Sequence, residues 1–146
     1  MTISYRKATA ADTPAIQALL EQSKLPTESV GGDVTEFFLA ESEGVLIGVA
    51  GFEYYGDDAL LRSVAVPAHL QSEGIGSQLV DWMLHHAREQ NIGRIVLLTE
   101  TAEKFFRKKG FLVVDRATIR NDALRQSSEF SHVCPSSSTT MTMELR

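Results

Sequence analysis

Residues 71–76, Gln71-Ser72-Glu73-Gly74-Ile75-Gly76, stand directly before a run in which Ile75, Leu79, Val80, Met83, Leu84 and Ala87 recur at helical spacing. That spacing predicts a helix whose first amides, through Ser77, face outward without intrahelical acceptors. Glycine at 74 and 76 lets the main chain approach a ligand closely, and the helix N-terminus adds partial positive charge. Such a turn could hold a diphosphate without basic side chains. The competing reading gives both glycines a purely steric role. A dinucleotide-binding GxGxxG is missing, because Leu79 stands at its third position, and no GxxxxGK[ST] phosphate loop occurs.

Other reactive side chains carry less. Cys134 is the one cysteine, so it cannot close an internal disulfide or build a four-ligand metal site. A lone cysteine of this kind reads as a small buried hydrophobe. His85 and His86 are neighbours and point to different helix faces, unlike the i, i+4 pairs that bind zinc, so no metal is expected. Asp57 and Asp58 fit a turn. Acidic residues exceed basic ones 19 to 14, a formal charge of -5, and the basic residues are scattered apart from Arg107, Lys108 and Lys109. This balance speaks against nucleic acid and anionic membranes as partners.

The elements that must position the turn follow from pattern. A chain of 146 residues, 43% apolar, is expected to form a single domain over 1–146 with a continuous core. No run reaches membrane-spanning length and the N-terminus lacks a secretory apolar segment, so a soluble, cytoplasmic protein is expected. Residues 3–8 read as a strand, followed by Asp12 as an N-cap and a helix burying Ile16, Leu19 and Leu20. Residues 24–33 read as a surface loop or a short irregular helix. Phe37 to Glu41, Val45 to Tyr55 and Ala59 to Val66 read as a three-stranded meander, with turns at Ser42-Glu43-Gly44 and Gly56-Asp57-Asp58. After the helix come a strand at Arg94 to Leu98, a helix at 101–109 closed by Gly110, and a strand at Phe111 to Val114. A short helix is expected near 119–127. Thr139 to Leu145 alternates like a half-buried strand. This order predicts an α/β fold with a mixed sheet: an antiparallel meander, then a β-α-β-α-β unit.

The segment VAVPAHLQSEGIGSQLVDWML, followed by LLTETAEKFFRKKGF, resembles the GCN5-related N-acetyltransferase (GNAT) family, whose loop is [RQ]xxGx[GA]. The resemblance extends from RKATAADTPAIQALL to Lys109-Gly110-Phe111. LLRSVAV, TETAEKFFRKKGF and the tail EFSHVCPSSS further resemble small acetyltransferases associated with arsenic-resistance operons. The family resemblance implies a GNAT-like fold with helices on both sheet faces and acetyl-CoA as cosubstrate. It also implies direct transfer of the acetyl group to an amine of a small molecule, an amino acid-like or toxic metabolite. Dimers are frequent among such relatives, and the last strand could pair with a second subunit's sheet.

Carried over residue by residue, the resemblance puts the pantetheine arm along the backbone of Val64, Ala65 and Val66. The pyrophosphate falls on the amides of Gln71, Ser72, Glu73, Gly74, Ile75, Gly76 and Ser77. The family's Asn and Tyr positions fall on Thr99 and Phe106. Phe106 has no hydroxyl, so the usual acid for the departing thiolate is missing, and Phe105 and Phe106 read as core or cofactor-packing aromatics. A main-chain amide near Val66 would polarise the thioester carbonyl. Glu53 is the carboxylate expected as base or water-positioning residue, with Glu100 next. Arg62 and Ser63 lie where the acceptor should approach, Arg62 as a fork for an oxyanion; Arg120 and Arg125 rank lower. Two alternatives accompany this reading: an inactive CoA-binding sensor, for which Phe106 speaks, and an interaction module without ligand.

Overall fold

The computed structural model describes residues 2–28, 30–31, 34–127, 129–130 and 138–146. Cys134 and the greater part of EFSHVCPSSS lie outside them, as does Cys134's expected burial. Among the described residues seven strands form one sheet, in the order β1-β2-β3-β4-β5-β7-β6. The N-terminal half is antiparallel: β1 (Ser4–Lys7), β2 (Thr35–Ser42), β3 (Val45–Tyr55) and β4 (Asp58–Ala65). The β2–β3 turn is two residues, Glu43 and Gly44, with φ of 52° and 77°, the left-handed backbone that a tight hairpin requires. Pro67 halts the chain early, so β4 ends at Ala65 and Val66 falls outside the strand where it was expected.

α1 (Thr13–Gln22) buries Ile16, Leu19 and Leu20 as expected. Asp12 precedes it, but its carboxylate does not cap α1. It accepts from Arg6 at 2.7 and 2.8 Å and from the Thr9 amide at 2.7 Å. α2 (Ile75–Glu89) buries all six of the residues whose spacing predicted it. It is the crossover that sets β5 (Arg94–Thr99) parallel to β4. α3 (Glu103–Lys109) ends at Gly110, φ 106°. β6 (Leu112–Val114) follows, then α4 (Asp122–Arg125), a single turn shorter than the helix expected near 119–127.

β7 (Thr139–Glu144) enters between β5 and β6, antiparallel to both. It therefore presents no open edge to a second subunit. Flanked on each side and covered on each face, it buries Thr140, Met141, Thr142 and Met143 in succession, where half-burial was expected. Alternation along the meander divides the core. Phe37, Leu39 and Val49 pack on α1, while Phe38, Ala50, Phe52 and Leu61 pack on α2 and on Phe106 of α3. Leu124 of α4 joins Leu60 and Val96 on the face opposite α2. Helices thus cover both faces. No helix among the described residues is long and apolar enough to cross a membrane.

Candidate active site

β4 and β5 pair only over Asp58–Leu60 and Arg94–Val96, after which the ladder stops and the strands diverge. The cause lies in β4. Val49 pairs with Ala65 but Gly51 pairs with Arg62, so Ala50 of β3 faces two residues, Ser63 and Val64. Ser63 holds φ 60°, and this bulge bends β4 away from β5. The splay opens two adjoining cavities of about 470 and 480 Å³ that share Val64, Thr101, Ala102 and Phe106.

The first cavity, the outer half of the splay, is lined by Val64, Val66, Gln71, Gly74, Gly76, Ser77, Phe105 and Phe106. Gln71, Ser72 and Glu73 do not form an open loop: they are the end of a 3-10 helix, Ala68–Glu73. Gly74 then takes φ 77°, which turns the chain into α2. The bond from the Gln78 amide to the Gly74 carbonyl, 3.1 Å, opens the helical ladder, so the amides of Ile75, Gly76 and Ser77 precede it. A Cβ on Gly76 would lie 3.5 Å from Val66 Cγ2, an ordinary contact. The Gln71 side chain folds back, donating to the Val66 carbonyl at 3.1 Å.

The second cavity lies deeper along β4 and β5, with Arg62, Ser63, Leu97, Thr99, Glu100, Glu129 and Ser138 among its lining, and Lys24 at its edge. Behind it is a buried charge cluster. Arg62 Nη1 donates to Glu53 Oε2 at 2.6 Å, Nη2 lies 3.5 Å from Glu129 Oε1, and Nε donates to Ser63 Oγ at 3.1 Å. Glu53 also accepts from Thr35 Oγ1 at 3.0 Å and from the Tyr55 hydroxyl at 2.5 Å. Burial, and then the bond to Glu53, push the Tyr55 phenol above its ordinary range, so it stays a donor.

Most of the residues singled out from sequence therefore converge on one cleft, with different exposures. Arg62, Ser63, Val64, Val66, Gln71, Gly74, Gly76, Ser77, Thr99, Phe105 and Phe106 line it. Ala65 and Ile75 turn buried side chains into the core, and Ser72 and Glu73 face solvent. Glu53 lines neither cavity; it stands behind Arg62. Thr99 Oγ1 accepts from the Ala102 amide at 3.0 Å. Phe106 packs edge-on against Phe105 and Phe111. Arg125 is turned to the carbonyls of Arg116 and Ile119.

Two participants gave no local signal. Lys109 reaches back from α3 to the start of α2, donating to Ser77 Oγ, to the Ser77 carbonyl at 3.1 Å and to Asp81 at 2.9 Å, so a cation does stand beside the turn. Glu129 meets Arg62 only through tertiary folding. Among the described residues no group of His, Cys, Asp and Glu could hold a metal ion.

Residues 33–113 match the family model described as an acetyltransferase (GNAT) domain. An amino-acid acetyltransferase of Mycobacterium tuberculosis is 31% identical over 120 residues, covering 75% of this chain and 68% of that protein. An amino-acid acetyltransferase of Vibrio atlanticus is 28% identical over 101 residues, 66% of this chain but 23% of its own length. The chain thus spans about a quarter of that relative. A solved Mycobacterium tuberculosis structure in complex with coenzyme A aligns with a TM-score of 0.79 at 27% identity, over 98% of this chain and 99% of that one.

Proposed function

This chain belongs to the GNAT family of acetyl-CoA-dependent N-acetyltransferases, and we propose that its acceptor is the amine of a small, amino acid-like molecule met in the cytoplasm. The observation that carries the proposal is the pair of cavities along the β4–β5 splay, one at the α2 N-terminus and one walled by charged residues. In this reading the diphosphate of acetyl-CoA lies on the amides of Ile75, Gly76 and Ser77, beside Lys109, and the pantetheine arm follows Val64, Ala65 and Val66. The thioester then reaches the second cavity. There Glu100 and Glu129 suit an ammonium and Lys24 suits a carboxylate, the two ends of an amino acid. The names of the curated relatives point the same way, and an amino acid-like toxic metabolite of the arsenic-resistance kind falls within this class.

The chemistry is direct transfer. The neutral amine attacks the thioester carbon, the C–N bond forms and the C–S bond breaks, and main-chain amides near Val66 meet the carbonyl oxygen. Glu100 and Glu129 line the cavity and take, directly or through water, the proton that frees the ammonium as an amine and the second N–H proton lost as the C–N bond forms; Glu53 acts through Arg62, which it anchors. Phe106 offers no proton, so the thiolate of CoA takes one from solvent.

Thiol release from acetyl-CoA, measured with each protein amino acid and with phosphinic amino acid analogues, tests this reading. Turnover with an α-amino acid is expected. A thermal shift with CoA but no turnover on any amine would replace the enzyme with a CoA-binding sensor, the alternative that Phe106 favours.

A further inference from the structure

Among the described residues two buried side-chain oxygens have no hydrogen-bond partner, Ser138 Oγ and Thr140 Oγ1. Thr140 lies in β7, and Ser138 lies in the bend one residue before it. Leaving a buried hydroxyl unpaired is costly, and each such group calls for a physical reason. Their surroundings differ. Thr140 sits in register between Leu98 of β5 and Val114 of β6 and lines neither cavity of the cleft. Ser138, 8% exposed, lines the second cavity with Arg62 and Glu129. Of the other hydroxyls of that wall, Ser63 Oγ accepts from Arg62, Thr99 Oγ1 accepts from the Ala102 amide, and Thr101 is exposed to solvent. The Ser138 hydroxyl is therefore the buried hydroxyl of this wall whose bond a ligand would complete.

We propose that Ser138 binds the acceptor: its hydroxyl accepts a hydrogen bond from the incoming amine and holds the nitrogen toward the thioester. The inference rests on reading the second cavity as the acceptor site. Sequence offered no sign of it, since Ser136, Ser137 and Ser138 form one undistinguished polar patch. Register supplies the distinction. Thr139 pairs with Thr99, which sets Ser138 at the mouth of the splay.

Kinetics of the wild type, Ser138→Ala, Ser138→Thr and Thr140→Val test it, with the best protein amino acid from the thiol-release panel as acceptor. Ser138→Ala is expected to raise the acceptor KM about tenfold, the loss of one hydrogen bond to an ammonium. The KM for acetyl-CoA stays at the wild-type value and the Tm does not fall, because alanine removes a buried hydroxyl that had no partner. Ser138→Thr keeps the hydroxyl and recovers part of the loss, and Thr140→Val changes no kinetic constant. Unchanged acceptor kinetics in Ser138→Ala would overturn the proposal. So would an equal effect from Thr140→Val, or a defect that comes with a lowered Tm and a raised acetyl-CoA KM, because each marks a structural role. Absence of wild-type turnover with every amino acid would instead refute the acceptor site itself, and Ser138 with it.

Discussion

Replacing Arg62 with methionine separates two roles for that side chain, because the structure commits its guanidinium to protein carboxylates. Its side chain is 3% exposed, and Glu53 and Glu129 approach it at 2.6 and 3.5 Å with side chains 5% and 9% exposed. At a charge separation of about 4 Å and an effective dielectric of about 20, one such pair interacts by about 4 kcal/mol. Methionine fills a similar volume but leaves both carboxylates buried beside a thioether, and breaking a buried pair from one side costs about 3–5 kcal/mol. For a domain of this size each kcal/mol lowers Tm by about 2–4 °C, so Arg62→Met should melt about 6–20 °C below wild type. Glu53→Gln leaves Arg62 beside Glu129 and should cost about 1.5–3 kcal/mol, the worth of a charge-assisted hydrogen bond. The double variant should fall short of the summed losses by about 1–3 kcal/mol, since removing Glu53 relieves part of what the loss of Arg62 strands. Urea unfolding of the four proteins, read as midpoint shifts at constant m, measures this cycle. If Arg62→Met unfolds within about 1 kcal/mol of wild type and loses only acceptor affinity, the guanidinium is a substrate clamp and the buried-network argument fails.

Gly74→Ala places a Cβ in open space but at φ 77°, so strain alone should cost about 1–2 kcal/mol of stability in a thermal melt. Gly76→Ala meets Val66 at ordinary contact distance and should leave stability unchanged or slightly raised; a large loss there would contradict the packing. Arg6 hydrogen bonds hold the Asp12 carboxyl well below its usual range. A depressed folded-state value contributes stability that is present above the unfolded value, about 3.9, and is lost as pH falls through the folded one. Asp12→Asn should therefore lower Tm at neutral pH and flatten its decline in acid, and parallel wild-type and variant curves below pH of about 4 would argue against this. Phe106→Tyr returns a phenol to the cleft wall and should raise kcat, with less effect on acceptor KM, in steady-state thiol release; an unchanged kcat would mean that solvent already supplies the proton fast enough.

Local signals were sufficient wherever one segment both contains and satisfies its own pattern. The α2 helix declares itself through six apolar residues at helical spacing, and the structure buries all six. The turn before it is legible for the same reason: glycine tolerates the positive φ that a side chain resists, so Gly74 marks the bend in one dimension. The order of the patterned segments gave the meander and the crossover, and motif spacing then carried the family resemblance and with it acetyl-CoA.

What sequence could not supply is every feature made by elements distant along the chain. The bulge at Ser63 opens the splay, yet no rule of local propensity puts a serine at φ 60°. β7 inserts between β5 and β6, because hydrogen-bond pairing and burial on both faces outweigh the alternating pattern that suggested a half-buried strand. Arg62 read by itself as a fork for an oxyanion and Glu53 as a candidate base; folding pairs the two between β4 and β3 and sets Glu129 beside the guanidinium. Lys109 meets Ser77 across 32 residues. Composition and periodicity determine which faces must be buried, since the apolar pattern is a property of one segment. Which charges meet, and which buried hydroxyl is left without a partner, depends on register between segments, and only the tertiary structure decided that.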